Sequence, residues 1–320
     1  MRPRPATGTY ARLSIAIALI LCGTGILWAT DGEIVSREAV ILPATTVEEM
    51  IEASPEIQDV FDNVSLYRIR YTSAGIEVPG YLAMPDRPEI VPAIIYNRGG
   101  NRQIGLINDQ SAWALLGKMA SWGYVVVASQ YRGTYGNPGS FEFGGASVAD
   151  VLNLISVIES LDGADPSRIG MFGWSYGGAL TYMALRETTR IAAAAVGGGV
   201  SDWFALESAR PEIARLNSRW MTGYSSGRDA ALTERSAVFW AGKLCDTTPL
   251  LLLHGGADEM VAVDQTLRMA QALSGVGHPY RLIVFEGAGH GISVFVEQSN
   301  SAVREWMNTY VRNRMRVPGQ

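Results

Sequence analysis

Two kinds of hydrophobic pattern follow one another along the chain. Val64–Tyr71 and Ile76–Met84 alternate apolar and polar positions with a period of two, and Ser73-Ala74-Gly75 separates them. This predicts a β-hairpin whose strands each have one wetter face. Beyond it the apolar runs become short and continuous: Ala93–Tyr96, Val125–Ala128, Ile169–Phe172, Ala192–Val196, Leu250–Leu253 and Leu282–Phe285. Such runs suit parallel strands buried on both faces. Stretches with helical spacing lie between or beyond them, at 112–121, 147–161, 178–186, 265–273 and 295–312. Strand-helix alternation predicts right-handed βαβ units. The fold class is therefore α/β, a doubly wound, mostly parallel sheet with the hairpin before it. Sites in such sheets lie at the carboxyl ends of the strands.

Three segments depart from that alternation. Residues 31–63 carry Val47, Met50, Ile51 and then Ile57, Val60, Phe61 at helical spacing, interrupted by Pro55, and read as a helical lead-in. Residues 201–246 lack a buried strand but hold Trp203, Phe204, Trp220, Phe239 and Trp240. They read as a helical insertion over the strand ends, its aromatics either lining a substrate pocket or simply packing. In residues 1–30, Arg2, Arg4 and Arg12 precede an apolar run, Leu13–Ala29. That is the pattern of an export signal or a membrane anchor. Either would place the remainder in a periplasmic or extracellular location. A single domain is expected over 64–314.

Composition narrows the function. A net charge of -5 without a basic stripe gives no footprint for nucleic acid. Two cysteines, Cys22 and Cys245, make no disulfide framework, and no Cys/His spacing suits zinc. His254, His278 and His290 are far apart in sequence. No metal and no cofactor are expected.

The chemistry gathers at three places. Gly173-Trp-Ser-Tyr-Gly177 follows one apolar run and opens a helix. This is the strand-turn-helix context of a nucleophile elbow, which would expose the Ser175 hydroxyl above the sheet. A serine nucleophile needs a base. His290 lies just after the run Leu282–Phe285, whereas His278 precedes that run and His254 comes before any suitable acid. In this fold the acid should end the preceding strand, and Leu250-Leu-Leu-Leu-His-Gly-Gly-Ala-Asp258 supplies Asp258. Glu259 and Asp264 compete for the role, although Asp264 better suits the start of the next helix. The Tyr176 N–H is a candidate oxyanion donor. A second should come from the loop Asn97-Arg-Gly-Gly100, with Gly99 the candidate.

Taken in order, these stretches resemble the catalytic domain of the prolyl oligopeptidase family of serine peptidases. The matching pieces are Gly80–Pro85, Gln130-Tyr-Arg-Gly133, Asp165–Gly170 with Gly173–Gly178, Arg235–Trp240, Thr248–Asp258 and Gly287–Gly291. The resemblance covers residues 64–312. It implies triad roles for Ser175, Asp258 and His290, an oxyanion role for Tyr176, and a peptide substrate. An esterase or thioesterase would share the same triad, and a binding module without catalysis is the alternative from another class. Many family members carry a β-propeller before this domain; about 30 residues separate the apolar run from the hairpin here, too few for one. Family members often place an aromatic residue or histidine before the paired glycines, where this chain has Arg98. That arginine is expected either to bind a substrate carboxylate or phosphate, or to tie its loop through an ion pair.

Overall fold

The computed structural model describes residues 30–317 except Pro88 and Tyr135. The predicted export segment lies outside the described residues. Among the described residues no helix is long and apolar enough to cross a membrane.

One nine-stranded sheet organises the molecule. Its strands are β1 (Ile34–Ala39), β2 (Val64–Ser73), β3 (Ile76–Pro85), β4 (Val91–Asn97), β5 (Val125–Ser129), β6 (Ala164–Trp174), β7 (Ile191–Gly197), β8 (Leu250–Gly255) and β9 (Tyr280–Phe285). They lie in the order β1-β2-β3-β5-β4-β6-β7-β8-β9. The hairpin and β1 pair antiparallel, and β3 joins β5 antiparallel. From β5 through to β9 every pairing is parallel.

The continuous apolar runs have a simple cause. Along β4 and β5, Ala93, Ile95, Val125 and Val127 face one core, while Ile94, Tyr96, Val126 and Ala128 face the other. Both faces are covered, so both sets must be apolar. The first core is closed by the helices Ala146–Glu159 and Tyr176–Glu187 and by the insertion. The second is closed by the helical stretch 109–121 and the helix Val296–Met307. Within 109–121 the turn Trp113–Gly117 widens to a π-helix. Residues 201–246 fold as predicted, into helices Trp203–Ala209, Glu212–Trp220 and Arg228–Arg235 followed by two short 3₁₀ turns.

The lead-in differs from expectation. Its helices form at Ala44–Ala53 and Ile57–Asn63, but Ile34–Ala39 adds an edge strand along β2. Almost all of that strand is exposed, so it has no apolar face and leaves no alternation to read. Backbone pairing alone defines it.

Chain order explains where a site can form. From β4 the chain passes to β5 on one side, then returns to β6 on the other side of β4. The two crossovers diverge there, leaving a crevice at the carboxyl ends of β4 and β6, the switch point of a doubly wound sheet. Asn97 and Gly173 pair at its lip.

Candidate active site

A sharp turn sits at that lip. β6 ends at Trp174, the helix Tyr176–Glu187 begins two residues later, and Ser175 takes the whole reversal with φ 57° and ψ −121°. An L-residue pays strain for that conformation, and surrounding contacts must impose it. The Ser175 N–H donates to the Gly197 carbonyl at 2.8 Å, and the Ser175 carbonyl accepts from the Gly178 N–H at 2.9 Å. The flanking glycines are dictated by space. A Cβ on Gly177 would stand 1.9 Å from the Asn97 carbonyl oxygen, and one on Gly173 would stand 2.2 Å from that of Gly177. The spacing read as a motif is therefore a packing requirement of the turn.

His290 and Asp258 come from the loops after β9 and β8. The imidazole Nδ1 lies 2.7 Å from Asp258 Oδ2. The other carboxylate oxygen, Oδ1, accepts the N–H groups of Met260 and Val261, each at 2.9 Å. This turn fixes the carboxylate from below. Burial by itself would raise the Asp258 pKa. Hydrogen bonding from His254, His290 and the Val261 N–H outweighs it and holds the group well below the usual carboxylate range. Asp258 is thus ionised, and an ionised carboxylate only accepts, so the His290 proton resides on Nδ1 and Nε2 is left free. The imidazole is half-buried and stands beside Trp174, ring centroids 6.4 Å apart. Gly198, next to the acceptor of the Ser175 N–H, packs against both members of the pair: a Cβ there would lie 3.3 Å from His290 Nδ1 and 3.5 Å from Asp258 Oδ2. Among the described residues, His290 hydrogen-bonds to Asp258 and not to Ser175. Nucleophile–base bonds often close only when substrate binds.

The competing residues go elsewhere. Asp264 begins the helix Asp264–Gly275 and pairs with Arg268, and Glu259 is exposed. His278 lies at the opposite end of the sheet, its Nε2 3.0 Å from the Thr248 carbonyl. His254 was passed over in the sequence because it precedes the acid. It is fully buried, and its Nε2 approaches Asp258 Oδ2 to 3.2 Å. The four-residue spacing to Asp258 was the available signal.

Gly99 lies against the serine. A Cβ on it would be 3.0 Å from Ser175 Cβ and 3.1 Å from the Trp174 carbonyl oxygen, so a side chain there would crowd the serine. Its N–H makes no backbone hydrogen bond among the described residues, and the Tyr176 N–H, at the first helical position, has no intrahelical acceptor. Both donors are available beside Ser175.

Arg98 requires a correction. It is 1 % exposed and turned into the protein, not toward substrate. Its guanidinium donates to the carbonyls of Gly99 (3.0 Å), Arg102 (3.1 Å) and Gln130 (2.6 Å) and lies over the Tyr131 ring. It ties the loop as the second expectation proposed, but through carbonyl oxygens in place of an ion pair. Gln130 completes the anchor with paired hydrogen bonds to Ile107.

Trp203 and Trp220 of the insertion pack with Phe143, and Phe143 packs on Tyr176 with ring centroids 5.2 Å apart. A separate cavity of about 410 Å³, mostly apolar, is lined by Tyr96, Leu115, Met119, Phe172, Trp174 and Gly291 among others. It reaches the neighbours in sequence of both Ser175 and His290.

The strand order, with the strained serine at its switch point, is that of the α/β-hydrolase fold, and the protein is a serine hydrolase. The model of the prolyl oligopeptidase family matches residues 113–313, more than half of the chain. An uncharacterised peptidase of Bacillus subtilis, YtmA, is 27% identical over 253 residues, covering 79% of this chain and 95% of its own length. Human dipeptidyl peptidase 8 is 30% identical over 215 residues, 63% of this chain but 23% of that protein. Among solved structures, the acylaminoacyl peptidase of Pyrococcus horikoshii superposes with a TM-score of 0.70 at 20% identity, over 88% of this chain and 45% of that one. The chain belongs to the prolyl oligopeptidase family.

Proposed function

We propose that this enzyme hydrolyses short peptides through an acyl-enzyme on Ser175. The observation that carries this reading is the Asp258–His290 pair, joined at 2.7 Å beside a serine held in a strained turn. Asp258 fixes the Nδ1–H tautomer, so His290 Nε2 takes the Ser175 proton as Oγ attacks the scissile carbonyl. The Tyr176 and Gly99 N–H groups receive the developing oxyanion. His290 then returns the proton to the leaving amine, and water, deprotonated in turn by His290, releases the acid and restores Ser175. The peptidase relatives support a peptide substrate.

The test compares kcat/KM for short peptide anilides and short-chain nitrophenyl esters, with Ser175→Ala as control. Anilide cleavage that falls by about 10⁴-fold or more in the variant is the expected result, since loss of a triad member removes most of the rate. Turnover of esters alone would make the protein an esterase on the same triad.

We also propose that the protein is exported, on the strength of Arg2, Arg4 and Arg12 before the apolar run 13–29. Cell fractionation of the full chain should recover it outside the cytoplasm; recovery in the cytosol would end this reading.

A further inference from the structure

His254 lies near the end of β8 with no access to substrate, yet both its ring nitrogens are engaged, one of them at the acid of the proposed triad. It is fully buried. Nε2 faces two acceptors, the Val261 carbonyl at 2.8 Å and Asp258 Oδ2 at 3.2 Å. Two acceptors require a proton on Nε2, and Nδ1 lies 2.5 Å from the Thr266 hydroxyl, which can donate to it. Thr266 thereby anchors the ring from its Nδ1 side.

The Nε2–H is aimed chiefly at Val261, the residue whose own N–H holds Asp258 Oδ1. The ring thus fixes the turn 258–261 and also presents the positive edge of an N–H to the carboxylate oxygen that His290 uses. From this geometry we propose that His254 is a positioning residue: through the Val261 carbonyl and Oδ2 it holds the Asp258 carboxylate in register with His290. The proposal rests on the acyl-transfer reading of Ser175.

Other charged groups near this cluster are occupied or turned outward. Arg268, on the helix Asp264–Gly275, pairs with Asp264 and approaches Asp202. Arg210, from the insertion, bonds Glu212 and the Met260 carbonyl. Glu259 and Glu286, on the loops after β8 and β9, are exposed. Among the described residues, Asp258 shares its charge with the side chains of His254 and His290 alone.

Without the His254 N–H, the charge on Oδ2 would fall wholly on His290 and favour its protonated form. The base would then be lost at higher pH. The test is the pH dependence of Ser175 phosphonylation by a fluorophosphonate probe in the full chain, for wild type, His254→Leu, His254→Gln and Thr266→Val. In His254→Leu the acidic limb is expected to rise by about half to one pH unit, in the direction an uncompensated neighbouring carboxylate dictates. His254→Gln restores an N–H near Oδ2 and should return the limb to its wild-type position. Thr266→Val, which keeps the ring but removes the hydrogen bond that anchors its Nδ1, should fall between. A limb that stays at the wild-type pH in His254→Leu, whatever its plateau, overturns the proposal; if that variant does not fold, an unmoved limb in Thr266→Val overturns it. A probe that labels wild type elsewhere than Ser175 overturns the acyl-transfer reading itself, a separate outcome.

Discussion

Two glycines near the site should respond oppositely to the same methyl group. At Gly177 the added carbon would meet the Asn97 carbonyl oxygen at 1.9 Å and that of Arg98 at 2.7 Å. Both are backbone atoms of the loop that carries Gly99, so neither yields cheaply. Gly177→Ala is expected to destabilise the protein by about 3 kcal/mol or more, at the upper end of overpacking effects, and to displace the Gly99 donor. At Gly289, beside His290, nothing lies within 4 Å of the added carbon. Gly289→Ala should leave stability within about 0.5 kcal/mol of wild type. Urea midpoints of the two variants test this pair, and equal midpoints would mean that the elbow relaxes more readily than its packing implies. The glycine at 177 was legible as a motif position; its reason is legible only in the contact.

At the scale of elements, legibility follows the range of the forces that act. Strands β4 to β8 were readable because both faces of each are covered, which writes a continuous apolar run into the sequence; β9, at the edge and mostly exposed, carries such a run without that cover. β1 was not readable, since a strand exposed on both faces imposes no pattern. Ser175, Asp258 and His290 each follow directly on a recognisable strand, and chain order alone arranges such strands in the sheet. Arg98 follows β4 directly and His254 lies within β8, but their roles depend on side-chain direction. The Arg98 guanidinium spans from its own loop to the Gln130 carbonyl after β5, a contact between neighbouring strand ends. His254 reaches Thr266 and Val261 across a turn. The insertion shows the same limit: helices were legible there, whereas the packing of Trp203 and Trp220 on Phe143, next to Tyr176, was open between pocket and core.

The whole molecule should lose stability in steps as pH falls, because three groups titrate in the same sense. Burial pushes the His278 imidazole below its usual 6.5. The unfolded chain therefore takes up that proton first, and stability declines from about pH 6.5 downward. Asp165 is lowered from 3.8 to about 2, chiefly by the Ser167 hydroxyl, with the Ser167 N–H and Arg168 adding to it. Its contribution is complete above its unfolded value and is lost as pH falls from about 4 toward 2. Asp258 acts in the same direction, with loss extending to still lower pH. The full linkage slope is about 1.4 kcal/mol per pH unit for one proton; the Asp165 side chain is 23% exposed, and solvent screening reduces its share. Calorimetric Tm values between pH 7 and 2.5 separate the contributions. His278→Gln should flatten the decline that begins below about pH 6.5 and leave the lower step intact. Asp165→Asn should flatten only the step below pH 4. The two groups titrate in separate pH windows, so the effects of the two variants should add. If His278→Gln follows wild type through the upper window, the imidazole is not taking up its proton preferentially in the unfolded chain, and the early decline belongs to a different group.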